Sequence, residues 1–315
     1  MFSKTLLEIN GHMIEYREET LTGIRCRISP SREDRALNDL RTPGAAEIKE
    51  PCPFCPENVE RTTPCFENGE RIHVGESTTF PNIYPFGENH IVTVITKEHC
   101  PCEITEKQIL DSLKGQFLGL KERKGFASIN WNYLPSAGAS MIHPHLQGLS
   151  DTVPTYLISL YIKRSGEYFE RTGTNYWLSL SDSEKESERY LFGDEIIWCA
   201  NPVPIGEKEI RGYLPFCSFK DFENFIPEIA KGIGRVIRIY EEAGNHAFNM
   251  AIRFGKDEHE RYFRAFVSMI ARINPNPLSI SDSAFMERLH FEPVVMTVPE
   301  TIGKKDGTMN CDIRK

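Results

Sequence analysis

Ser140-Met141-Ile142-His143-Pro144-His145-Leu146-Gln147 sets two histidines and a glutamine at alternate positions. Read as a strand from Ser140 onward, the stretch sends His143, His145 and Gln147 to one face. Two imidazoles and an amide aimed at one space are costly to bury unless a metal or a polar ligand meets them. Pro144 has no N–H to give a ladder, so the strand must lie at an edge or bend there. The plainer alternative is a solvent-facing edge strand that happens to carry two histidines.

Outward from this stretch the periodicity is regular. Pro135-Ser136-Ala137-Gly138-Ala139 is a small-residue loop, and Phe126 to Tyr133 before it reads as a strand. Thr105-Glu106-Lys107-Gln108 fits a capping box, followed by Ile109, Leu110, Leu113, Phe117 and Leu120 at helical spacing. Thr78 to Tyr84 and Ile91 to Thr96 read as strands joined through Gly87, Glu88 and Asn89. The second half runs through the same order. Glu195 to Val203 and Glu209 to Phe216 are paired strands, and Asp221 to Glu242 is a helix with Phe222, Phe225, Ile226, Ile229, Ile233, Val236 and Ile237 as its stripe. Phe248 to Phe254 and Tyr262 to Ile273 are strands again. Two copies of one α+β unit account for this order. Pro154 to about Arg189 reads as the connector between them, and residues 1 to about 75 as irregular apart from a strand at Ile24 to Ile28.

The 315 residues suffice for two ordinary domains or one duplicated one, and 40% hydrophobic with 26% charged residues is globular composition. No run of 18 apolar residues exists, and the first residues lack the apolar stretch of a signal peptide, so the expectation is a soluble, cytoplasmic enzyme. A net charge of −8 speaks against a broad nucleic-acid interface but not against a small anionic ligand met by a few arginines. Nine cysteines in a long chain of this kind suggest metal before disulfides. Cys52 and Cys55, in Pro51-Cys52-Pro53-Phe54-Cys55-Pro56, have the spacing of a zinc knuckle. Cys26, Cys65, Cys199, Cys217 and Cys311 are scattered and read as buried thiols.

Taken in order, these stretches resemble the galactose-1-phosphate uridylyltransferase family, the nucleotidyltransferase branch of the histidine triad superfamily. Arg25 to Arg35 is similar to its strand and Ser-Pro-x-Arg-x-x-Arg, and Cys52 to Pro64 to its zinc knuckle. Phe80-Pro81-Asn82 resembles its Phe-x-Asn, and Lys97-Glu98-His99 its Pro-Asp-His. Asn132 stands eleven residues before His143, as an asparagine does there, and His143-Pro144-His145-Leu146-Gln147 is similar to its His-Pro-His-x-Gln. The resemblance implies an α+β fold of duplicated histidine-triad-like units, antiparallel sheets with flanking helices. Residues 1–160 would carry the zinc site and the catalytic motif, and 161–315 would lack that motif.

The resemblance further implies one structural zinc on Cys52, Cys55, His99 and His143; a rival set would use Cys100 and Cys102 in place of the histidines. His145 would be the nucleophile toward the α-phosphorus of a nucleotide, its other ring nitrogen held by a backbone carbonyl near His143. Gln147 would donate to a phosphoryl oxygen, with Asn132, Ser140 and the loop at Gly138 as further phosphate ligands. Arg32 and Arg35 resemble phosphate-contacting arginines, Asn82 a nucleotide contact, and Glu292 faintly a glutamate that holds sugar hydroxyls. Where the family often has a second metal, Arg253 and Arg264 stand in place of histidine ligands, so no second metal is expected; these arginines could serve a phosphate pocket. His246, His259 and His290 read as ordinary histidines.

The implied activity is exchange of a nucleoside monophosphate between an NDP-sugar and a sugar 1-phosphate through a nucleotidyl-histidine, in galactose or related carbohydrate metabolism, by a homodimer. Two alternatives stay open: an NDP-sugar phosphorylase of the ADP-glucose phosphorylase kind or a nucleotide hydrolase, and a non-catalytic zinc-stapled binding protein.

Overall fold

Thr105 caps the helix Glu106–Leu120 through the reciprocal box. Its Oγ1 accepts from the Gln108 N–H at 3.3 Å, and Gln108 Oε1 accepts from the Thr105 N–H at 2.9 Å. Ile109, Leu113, Phe117 and Leu120 on one side of it are buried. The computed structural model describes residues 1–9, 11–34, 51–273 and 285–304. Arg35 and Cys311 lie outside them.

In chain order the elements are β1 (Phe2–Ile9), β2 (His12–Glu19), β3 (Arg25–Ile28), α1 (Pro56–Thr62), β4 (Ile72–Val74), β5 (Ser77–Pro81), β6 (Asn89–Val94), α2 (Glu106–Leu120), β7 (Phe126–Tyr133) and β8 (His145–Asp151). There follow α3 (Tyr156–Thr172), α4 (Tyr176–Lys185), β9 (Tyr190–Phe192), β10 (Ile197–Ala200), β11 (Ile210–Tyr213), α5 (Ile226–Glu242), β12 (Ala247–Arg253), β13 (Phe266–Arg272), α6 (Phe285–Leu289) and β14 (Val294–Val295). One sheet has the order β4-β5-β6-β8-β7-β12-β13-β11-β10-β9, and a smaller one β1-β2-β3-β14.

The large sheet displays the duplication. From its centre outward, β7-β8-β6-β5 on one side mirrors β12-β13-β11-β10 on the other, and the antiparallel β7–β12 pair joins the copies. The match extends to single bonds: Ile95 N–H donates to Pro144 O at 3.0 Å, and Leu214 N–H to Ala265 O at 3.1 Å. That equivalence puts Phe266 where the first copy has His145, and Ser268 where it has Gln147. Helices α2 and α5 cover one face over a shared core that includes Trp131, Trp198, Phe248 and Met250. On the other face α3 and α4 cover the far end, where Tyr161, Trp177, Phe263 and Phe266 pack together.

Several expectations need correction. The strand read from Ser140 begins only at His145, because Pro144 cannot donate and the chain bends before it. That strand is central, between β6 and β7, so Pro144 marks a bend and not an edge. The connector is two helices, tied by the Trp177 indole N–H donating to Ser165 Oγ at 2.8 Å. The N-terminal region holds the β1–β2 hairpin, which the sequence did not announce because β1 is exposed at seven of its eight positions. The long helix opens as a 3-10 stretch, Phe219–Phe225, and becomes α-helical at Ile226, with Pro227 in the first turn where no N–H is needed. Cys65 is exposed, whereas Cys26, Cys199 and Cys217 are buried.

Candidate active site and metal centre

The knuckle is built locally before it meets anything distant. The Phe54 N–H points at Cys52 Sγ, 3.4 Å away, and Asn58 Nδ2 donates to Cys52 O at 2.9 Å. Thr62 Oγ1, from the end of α1, donates to Pro53 O at 2.8 Å. These bonds turn both thiols to one side, where His99 and His143 arrive from elsewhere in the sequence. The four ligand atoms lie within 4.8 Å of one another. Cys55 Sγ is 3.3 Å from His99 Nδ1 and 3.8 Å from His143 Nδ1, and Cys52 Sγ is 3.7 Å from His143 Nδ1.

A tetrahedral ion with sulfur at about 2.3 Å and nitrogen at about 2.0 Å keeps such ligands about 3.5 Å apart. The observed separations straddle that value, and the set suits one metal ion. His143 Nε2 donates to Thr96 O at 2.8 Å, so Nδ1 carries the lone pair that faces the sulfurs. Burial holds this imidazole below its ordinary pKa and hence neutral, the form a metal requires. His99 Nε2 is buried with no hydrogen-bond partner, so the ring's placement is explained by what Nδ1 faces. Cys100 and Cys102 are exposed and stand outside this cluster.

Immediately after His143 the chain turns through Pro144, and His145 enters the sheet opposite Val94. Its Nδ1 lies 2.9 Å from His143 O. A carbonyl only accepts, so Nδ1 carries the proton and Nε2 keeps a lone pair. His145 is buried and its pKa is pushed down by that burial, which keeps the ring neutral near pH 7. Phe54 of the knuckle packs against it, with ring centroids 5.3 Å apart. One histidine therefore serves the metal cluster with its side chain and sets its neighbour's tautomer with its backbone.

Two amides flank His145. Gln147 lies opposite Val92 on β6 and Asn130 on β7. Asn132 comes level with His145, one step beyond the Trp131–Leu146 pair. Gln147 Oε1 is 3.0 Å from His90 Nε2, and Asn132 Oδ1 accepts from Asn249 Nδ2 at 2.7 Å. Neither His90 nor Asn249 was singled out in the sequence. The loop from Leu134 to Pro144 closes this end of the site. Leu134 has φ of 70° and ψ of 160°, a region all but reserved for glycine that costs other residues about 1–3 kcal/mol. It is held there by its carbonyl, which accepts from Ala137 and Ala139 N–H, and by Asn249 Nδ2, which donates to Ala137 O at 2.7 Å.

No protein-family model matches the sequence. An uncharacterized protein of Archaeoglobus fulgidus is 29% identical over 270 residues, covering 81% of this chain and 80% of that one. Among solved structures, an ADP-glucose phosphorylase from Arabidopsis thaliana with bound ADP-glucose superposes with a TM-score of 0.72 at 16% identity, covering 94% of this chain and 99% of that chain. A GalT-like protein from the same plant gives 0.70 at 16% identity, over 92% and 97% of the two chains. A uridylyltransferase gives 0.66 at 15% identity, over 91% and 95%. The fold is that of the uridylyltransferases.

Within this uridylyltransferase fold the remaining candidates are dispersed. Gly138 has φ of 84° and open space beside its Cα, while its N–H donates to Pro135 O at 2.9 Å. Ser140 is exposed in the same loop. The side chain of Asn82 is engaged locally, accepting from Tyr84 N–H at 2.9 Å and lying 3.3 Å from His90 Nδ1. Arg32 is exposed in a short 3-10 helix, Pro30–Asp34. Glu292 pairs with Arg27 at 2.5 Å beside the small sheet. In the second copy Arg253 lies over Phe266, its guanidinium carbon 5.4 Å from the ring centroid, with Nη1 buried and unpartnered. Arg264 donates to the carbonyls of Glu260 and Phe263.

Proposed function

We propose that this chain is a nucleotidyltransferase that moves a nucleoside monophosphate between an NDP-sugar and a sugar 1-phosphate through a covalent nucleotidyl-histidine. The observation that carries the reading is the His145 Nδ1 contact to His143 O at 2.9 Å, which leaves Nε2 unprotonated. In the first half-reaction the Nε2 lone pair forms a bond to the α-phosphorus. The bond from that phosphorus to the bridging oxygen breaks, and sugar 1-phosphate leaves with the electron pair. In the second, a phosphate oxygen of the acceptor takes the phosphorus and the pair returns to Nε2. The proton stays on Nδ1 throughout, donated in a hydrogen bond to the His143 carbonyl, whose oxygen supports the positive charge of the intermediate ring. Gln147 and Asn132 donate to the phosphoryl oxygens, with Ser140 and the backbone at Gly138 as further contacts. We assign Arg32, Arg35 and Asn82 to the nucleotide and Glu292 to the sugar.

The ion proposed for Cys52, Cys55, His99 and His143 is a single zinc. Two thiolates and two imidazoles leave it no open position, so when bound it supplies cross-linking and no reacting oxygen. No second metal is part of this reading. A second reading is favoured by the superposition on an ADP-glucose phosphorylase: the acceptor would be inorganic phosphate. Label in the α-phosphate of UDP-glucose or ADP-glucose separates the cases. Label bound to protein and chased by a sugar 1-phosphate supports the transferase, and label chased by phosphate alone the phosphorylase. Label released only to water means hydrolysis, and label never bound removes the covalent mechanism. The protein is proposed to work in solution as a homodimer. Glu88, bonded to Asp151 and Thr152, brings together a loop with exposed Ile83, Tyr84 and Phe86 and the approach to α3 with exposed Val153 and Tyr156. Light scattering at micromolar concentration should give twice the 36.1 kDa chain mass; a monomer mass removes this part.

A further inference from the structure

A side-chain amide can turn either its N–H2 or its oxygen toward a phosphoryl group. The first attracts and the second repels, so an unanchored amide beside a phosphate loses part of its effect. Both amides next to His145 are anchored, and each anchor ends on groups that cannot be reversed.

On one side the chain of bonds starts at a backbone N–H. Tyr84 N–H donates to Asn82 Oδ1 at 2.9 Å, which turns Asn82 Nδ2 toward His90, 3.3 Å from Nδ1 and 3.1 Å from Nε2. Gln147 Oε1 sits 3.0 Å from His90 Nε2 and needs a donor there. The arrangement that satisfies both has Nδ1 accepting from Asn82 and Nε2–H donating to Gln147. Burial pushes the His90 pKa down, which keeps the ring in its neutral form. Phe86 packs edge-on to it at 4.3 Å between centroids. Gln147 is left with its N–H2 for the site.

On the other side the anchor comes from the second copy. Asn249 Nδ2 donates to Ala137 O at 2.7 Å, and Asn249 Oδ1 accepts from Arg272 Nη1 at 2.7 Å. A carbonyl at one end and a guanidinium at the other leave this asparagine one orientation. Its nitrogen also donates to Asn132 Oδ1 at 2.7 Å, so Asn132 too is left with its N–H2 for the site.

We infer that His90 and Asn249 are positioning residues, which lock the Gln147 and Asn132 amides nitrogen-first toward the oxygens of the transferred phosphoryl group. The inference rests on the nucleotidyl-histidine reading for its consequence in rate, and on the hydrogen-bond directions alone for its geometry. It also gives the second copy, which has Phe266 where the first has His145, a part in the first copy's chemistry.

The experiment has two arms. In the first, the single-turnover rate of His145 labelling from α-labelled nucleotide-sugar is measured for wild type, His90→Leu, His90→Gln and Asn249→Asp, with zinc content and Tm recorded for each. His90→Leu removes the donor, and Asn249→Asp turns an acceptor toward Asn132 and so reverses its amide. Each should slow labelling by about 10–100-fold, below the 10²–10³ lost when a transition-state donor is removed outright, with substrate KM changed far less. His90→Gln restores an N–H donor and should recover most of the loss; a packing role for His90 predicts no such recovery. Wild-type labelling rates in both His90→Leu and Asn249→Asp, or a His90→Gln variant as slow as His90→Leu, would overturn the inference.

The second arm reads the wild type without substrate. Nitrogen-15 spectra of the imidazoles should show His90 as the neutral Nε2–H tautomer at pH 7; an Nδ1–H tautomer overturns the clamp on Gln147 whatever the labelling shows. If wild type takes up no label while His90 has the expected tautomer, the functional reading fails and the geometry stands.

Discussion

The His145→Gly variant is expected to keep its fold and the zinc proposed for the Cys52, Cys55, His99 and His143 cluster while turnover falls by several powers of ten. The change removes the attacking nitrogen and nothing that ligates metal, since the cluster uses the side chain of His143 and not that of His145. The structural loss is one bond to a carbonyl and the packing on Phe54, on the order of 2–4 kcal/mol at a buried site. The kinetic loss is larger, because without the nucleophile each half-reaction must find another route over the barrier. Phe54 and Val94 should hold the walls of the vacated space, which then admits free imidazole. A pre-formed nucleoside phosphorimidazolate should act as donor in the second half-reaction alone. Near-normal turnover of any nucleotide-sugar by His145→Gly would refute the covalent mechanism.

What could be read from the sequence was local or lay in one ordered motif. The Thr105–Gln108 box and the limits of β7 depend on neighbours a few residues away, and both appear as read. Cys52, Cys55, His99 and His143 could be named as a set only because their motifs, taken in order, resemble those of the uridylyltransferase family; spacing alone singled out the Cys52–Cys55 knuckle, and their meeting is a tertiary event. His90 was invisible for the opposite reason. Within Asn89–Val94 it is one of three polar residues, with Asn89 and Thr93, and nothing local sets it apart; its partner is chosen by the β6–β8 register 57 residues away. Asn249 is harder still, since its meaning comes from β12 pairing with β7 across the two copies. The helices α3 and α4 were missed because Tyr161, Tyr176 and Trp177 are mixed with charge in sequence, and only the far end of the sheet shows where they bury. Pro144 was read as an edge or a bend, of which the bend is found, but the alternation drawn through it is not. His143 lies before the strand, and that departure lets its side chain serve the metal cluster while its carbonyl meets His145.

The same division of labour predicts that His143→Gly and Cys52→Ser should fail in a way that His145→Gly does not. Cys52 and Cys55 sit at the start of α1, whose attachment to the large sheet relies on the small cluster of Val59, Phe80, Val92 and Val94 with Phe54 against it. The ion proposed for these two cysteines with His99 and His143 would tie this segment to the bend before β8, and its binding free energy would add directly to that of folding. Losing a ligand from a closed tetrahedral site is among the few single changes that cost more than about 4 kcal/mol. Cys52→Ser should therefore lower zinc content well below one per chain and lower Tm by roughly 10 °C. His143→Gly should do the same and also free the carbonyl that sets the His145 tautomer, because the ring bonded to Thr96 O is what fixes residue 143 in place. Its activity should consequently resist rescue by imidazole, whereas that of His145→Gly should respond. Metal analysis and thermal melts of the three variants decide the matter: a Cys52→Ser protein with stoichiometric zinc and an unchanged melt would remove Cys52 from the ligand set, and with it the stapling role assigned to the knuckle.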